Sequence, residues 1–164
     1  MIEKPFDRML WVLAAISAGI FGAIAVVIAI NVALRNFGLP VIYGALDAIQ
    51  YALMIATFMG APWVLARDGH VKVDLVTSAL SAKAEVALGR LTNLIGAVTA
   101  GVLGWYALQA ALASADRGSM IRTSFVIPEW WMLAFLPASL TLCVVVFLRK
   151  LLRPDAPDHA PSGL

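Results

Sequence analysis

The side chains able to do chemistry are few and widely spaced. The chain has two histidines, His70 and His159, and one cysteine, Cys143, and most of its charges fall between long apolar runs. A lone cysteine forms no intrachain disulfide and no metal site by itself; inside an apolar run it reads as a small hydrophobe. Haem held between membrane helices needs histidines within the spans, and a metal needs several converging ligands. One histidine in a connector and one in a tail supply neither. No glycine-rich phosphate loop is present, nor a nucleophile placed with a base and an orienting group. The residues therefore predict no catalytic site, no cofactor and no metal centre.

The sharpest charged pair is Arg35 and Asp47. Arg35 closes the first apolar run, sharing a helical face with Asn31 four residues earlier, and Asp47 lies one turn inside the second. A charge in the bilayer centre costs roughly 2.5–3.5 kcal/mol on insertion scales, a cost relieved by pairing or by snorkelling. Two readings are open: an Arg35–Asp47 ion pair across the short turn NFGLPVIYG, or independent contacts of each with headgroups and interfacial water.

These residues need helices to hold them. Of 164 residues, 62% are hydrophobic and 13% charged, far from the roughly 25% charged usage of soluble domains. The net charge of +2 gives a nucleic-acid partner no support. Four apolar runs, at about 9–34, 42–66, 89–115 and 129–148, are each near the ~20 residues that span a bilayer. The first is too long for the core of a cleaved leader. The expected architecture is an all-α membrane protein with one domain over 1–150 and a disordered tail over 151–164, rich in proline and small polar residues. Pro62 should bend helix two or mark its last turn.

In the third run Gly96, Ala100 and Gly104 fall four apart, a small-residue stripe that lets another helix approach closely and predicts a central place for this helix. Trp105 and Tyr106 lie mid-run, too deep for an interfacial belt, which points to contact with protein or to a strong tilt. Trp130 and Trp131, after Pro128, suit the headgroup level at the start of the fourth run.

The longest polar interruption, ARDGHVKVDLVTSALS, runs from Ala66 to Ser81. Arg67 and His70 lie at the exit from the second run, and Asp74 is placed to cap a short amphipathic helix at about 74–84 lying in the interface. The alternative is a plain amphipathic loop. Nine of the twelve basic residues (Lys4, Arg8, Arg67, Lys72, Lys83, Arg90, Arg149, Lys150 and Arg153) fall on the side of the termini and this connector, against Arg35, Arg117 and Arg122 on the other. By the positive-inside rule both termini and the connector are cytoplasmic.

Asn31 and Arg35 ending helix one, an acid near the start of helix two, R-x-x-H-V-x-V-D at Arg67 to Asp74, and the segment RTSFVIPEWW followed by Pro137 together resemble the small, DctQ-like membrane subunit of tripartite ATP-independent periplasmic (TRAP) transporters. The resemblance covers about Asn31 to Pro137. It departs where the family commonly has glutamate and this chain has Asp47. The resemblance implies a bacterial inner-membrane protein acting as a scaffold for a large membrane subunit. That subunit carries the substrate and sodium sites, and a periplasmic binding protein delivers the substrate, here expected to be an organic acid. The polar segment from Asp116 to Trp131, with Arg122, is then either a solvated loop or a surface that docks the binding protein. Membrane lipids are expected partners of Lys83 and Arg90. Two other classes stay open: a membrane anchor of a respiratory enzyme, which predicts bound haem or quinone, and a stand-alone exporter, which predicts transport by this chain alone.

Overall fold

The computed structural model describes residues 3–67 and 82–152. Four helices cover most of them: α1 (Glu3–Asn36), α2 (Ala45–Ala66), α3 (Ala82–Arg117) and α4 (Glu129–Leu152), with a two-stranded antiparallel ladder, β1 (Met120–Arg122) and β2 (Val126–Pro128), between α3 and α4. All four helices are long and apolar enough to cross a membrane. Interfacial positions 74–81, with His70 and Asp74, and the tail from 153 onward lie outside the described residues. Residues 82–84, expected in the interfacial helix, form the first turn of α3.

Glycine ends two of the helices. Gly38 (φ 70°) and Gly118 (φ 62°) adopt the left-handed conformation just past α1 and α3. In each case the next N–H turns back to a carbonyl five residues earlier, Leu39 to Leu34 and Ser119 to Ser114, the six-to-one bond that satisfies an orphan helical carbonyl.

The helices pack as two antiparallel hairpins, α1 with α2 and α3 with α4, joined side by side through α2 and α4. The turn at 37–44 and the β-ladder share one end, termed the connector end after these two short links and distinct from the polar segment at 66–81. The start of α1, the exit from α2, the start of α3 and the end of α4 share the other. The small-residue stripe of α3 is occupied by α4: a Cβ added to Gly96 would lie 2.5 Å from the Phe147 ring, one on Gly104 would lie 3.4 Å from Leu140, and Ala97, Ala100, Ala107 and Ala111 are buried. The expectation that this helix is central is overturned. Its stripe serves one neighbour, so α3 lies at an edge, while α4 contacts both α3 and α2. Between α1 and α2, Ser17 Oγ donates to the Ala56 carbonyl at 2.6 Å and stands 2.9 Å from where a Gly60 Cβ would be. Small residues again set the approach distance. Pro62 lies inside α2 and is buried.

Candidate functional site

A group of polar side chains, Asn31, Asp47, Tyr51, Ser114 and Glu129, lies at the connector end. Asn31, in the last turns of α1, accepts the Ile42 N–H on Oδ1 at 3.0 Å and so fixes the turn into α2. Gly44, at φ 71°, begins α2, and a Cβ there would meet the Phe125 ring at 2.8 Å. Asp47, in the first helical turn, accepts the Ser124 backbone N–H on Oδ2 at 2.8 Å. One turn on, the Tyr51 hydroxyl and Thr123 Oγ1 are 2.8 Å apart. The start of α2 therefore holds the tip of the β-hairpin through an aromatic contact and two hydrogen bonds.

The hairpin is itself a tight unit. Its register pairs Met120 with Pro128, Ile121 with Ile127 and Arg122 with Val126, leaving Thr123, Ser124 and Phe125 as the loop. Glu129 N–H donates to the Ser119 carbonyl at 3.0 Å, extending the ladder to the first residue of α4. Below it, the wholly buried Ser114 donates to Glu129 Oε2 at 2.8 Å and ties the end of α3 to the start of α4. Trp130 and Trp131 meet edge to face, centroids 6.0 Å apart, both exposed.

Asp47 does not pair with Arg35. Its carboxylate is taken by a backbone N–H of the hairpin, whereas Arg35 is exposed and makes no ion pair among the described residues. Arg122 is also exposed, on β1. Arg67, at the opposite end, caps α2 and lies over the Trp63 ring at 5.4 Å. There too Arg149 bonds Asp7 at 3.0 Å and lies over the Phe6 ring at 4.7 Å, joining the start of α1 to the end of α4.

Of the residues singled out by sequence, Asn31 and Asp47 come together at the connector end, with Arg122 and Trp130 on the neighbouring hairpin and first turn of α4. Gly96, Ala100 and Gly104 belong to the α3–α4 seam. His70 and Asp74 lie outside the described residues. Sequence reasoning missed Tyr51 and Ser114, and it met Gly44 only as a turn breaker and Thr123 and Ser124 only as part of the family-like segment RTSFVIPEWW, without their contacts. The available signal was the Thr-Ser pair ahead of Val126 and Ile127, turn formers beside β-branched residues.

This end has no converging group of three or more metal-ligating side chains among the described residues. What it can do is mechanical: hold a hairpin rigidly at one surface of the bundle. A second feature is an open apolar groove of about 360 Å³ between α2, α3 and α4, lined by Ala61, Leu65, Thr99, Leu103 and Cys143 among others. Its lining suits hydrocarbon.

Four helices long and apolar enough to cross a membrane give the chain the architecture of a multi-pass membrane protein. The family model for the DctQ component of tripartite ATP-independent periplasmic transporters matches residues 24–156, and the chain belongs to that family. No curated protein matches it. The family and the four apolar helices together make it a multi-pass inner-membrane component of a TRAP transporter.

Proposed function

We propose that the chain is the small scaffold subunit of a TRAP-type secondary transporter. It stabilises the large membrane subunit during sodium-coupled uptake of an organic acid delivered by a periplasmic binding protein. One observation carries the scaffold reading: Ser17, Asp47, Tyr51 and Ser114 use their polar groups to join this chain's own elements. A solute path is lined by polar or ionisable groups available to solute, and these four are engaged in holding the frame. The biased distribution of basic residues supports cytoplasmic termini, with the turn at 37–44 and the β-hairpin facing the periplasm. Arg117 and Arg122 then present a basic periplasmic surface suited to the binding protein.

The test is uptake in vesicles holding the large subunit with and without this chain. Uptake should be lost without it, with the large subunit depleted from the membrane. A large subunit that transports at the normal rate alone refutes the scaffold role. Charge reversal by Arg122→Glu should raise the binding-protein concentration needed for half-maximal uptake several-fold at low salt, and less at high salt, where exposed charges are screened. An unchanged concentration makes the hairpin a solvated loop. Reporter fusions at both termini check the orientation, with a periplasmic signal from either contradicting it.

A further inference from the structure

The seam with α4 takes one side of α3, and the far side carries an arrangement that lipid does not satisfy. Trp105 and Tyr106 are 61% and 68% exposed, and Gln109 is exposed beside them. Neither the Tyr106 hydroxyl nor the Gln109 amide makes a hydrogen bond among the described residues. From Arg90 to Arg117 α3 rises about 40 Å, and Tyr106 lies about 24 Å from the first and about 16 Å from the second. With a hydrocarbon layer about 30 Å thick, both polar groups lie within it. Helical side chains also lean toward the helix N-terminus, so Tyr106 and Gln109 lean deeper into the layer and away from the nearer surface. An amide or hydroxyl in hydrocarbon without a partner is costly, and within membranes such groups bond across helices.

We propose that this edge of α3 is the seat of a transmembrane helix from a second, different membrane chain, one presenting hydrogen-bonding side chains at the depth of Tyr106 and Gln109. The proposal rests on the reading of this protein as a scaffold with a large membrane partner, and it names the face and the chemistry of that contact. Charge argues against a second copy as occupant. Asp116 lies seven residues beyond Gln109, on the same face and exposed. Two copies related by an axis along the membrane normal would set Asp116 against Asp116 at the end of the contact. A different helix can instead bring a basic or neutral group there.

The experiment co-expresses the full chain with the large membrane subunit of its transporter and measures how much of that subunit co-purifies. Tyr106→Phe and Gln109→Leu keep size and remove the polar groups. Each should lower the retained subunit about threefold, as expected for a typical interhelical hydrogen bond, while leaving the thermal unfolding of the isolated chain unchanged. If these groups faced lipid, their removal would leave the complex intact, and retention at the wild-type level overturns the proposal. A photo-crosslinking residue in place of Trp105 should give an adduct with the large subunit; an adduct with a second copy, or with lipid alone, also overturns it. If the wild-type chain retains no large subunit, the scaffold reading itself fails, an outcome distinct from retention that the variants leave untouched.

Discussion

Gly44 and Asp47 show how much depends on single atoms at the connector end. Gly44 combines a left-handed backbone with a ring 2.8 Å from any added Cβ. Gly44→Ala should therefore cost about 1–2 kcal/mol for the backbone alone and also push Phe125 aside; thermal unfolding in detergent reads the loss. Asp47 acts as an acceptor for a backbone N–H, so what matters is an oxygen at that position. Asp47→Asn keeps one and Asp47→Ala does not, and the alanine variant should melt lower than the asparagine variant. Equal losses would show that the negative charge, not the acceptor, holds the hairpin. Sequence reasoning found Asp47 because a charge inside an apolar run is conspicuous. It did not find the partner, because a backbone N–H 77 residues away leaves no trace in residue types. Arg35 was the visible candidate only because it is charged.

At the level of elements, the four helices were legible because bilayer-length apolar runs leave few other readings. The stripe on α3 was legible too, since glycine and alanine at helical spacing have a direct packing meaning. Its consequence for position was misjudged, as a close-approach stripe shows that one neighbour is near and says nothing about how many there are. Gly96 and Gly101 test the seam. A Cβ at Gly96 would enter the Phe147 ring, whereas one at Gly101 meets only Val144 at 3.9 Å. Gly96→Ala should cost roughly 1–3 kcal/mol by overpacking, with recovery when combined with Phe147→Leu. Gly101→Ala should be neutral or stabilising by up to about 1 kcal/mol through helix propensity. Unfolding of the purified chain separates them, and equal effects would remove Phe147 as the cause. The β-hairpin was not legible: strands of three residues carry too short an alternation, and what fixes this one is its contact with α2.

For the whole molecule, the two ends are fastened differently. The terminal end relies on Arg149 with Asp7 and Phe6, where Asp7 is 63% exposed, and an exposed pair of this kind contributes about 0–1 kcal/mol and weakens with salt. Asp7→Asn should scarcely shift the melting temperature, and a large drop would show that this pair, not the helix seams, joins α1 to α4. The connector end relies on several short hydrogen bonds and on packing, with no ion pair among the described residues. That contrast bears on how the protein is made. The α1–α2 hairpin is complete once residue 66 has been synthesised, but Asp47 and Tyr51 find Ser124 and Thr123 only after α3 has crossed the membrane and the chain has turned back. During synthesis the N-terminal part folds first, so the start of α2 waits with its acceptor unfilled. The latch closes only when the second hairpin has inserted in the same direction as the first, and a chain with an inverted or skipped helix leaves that end open.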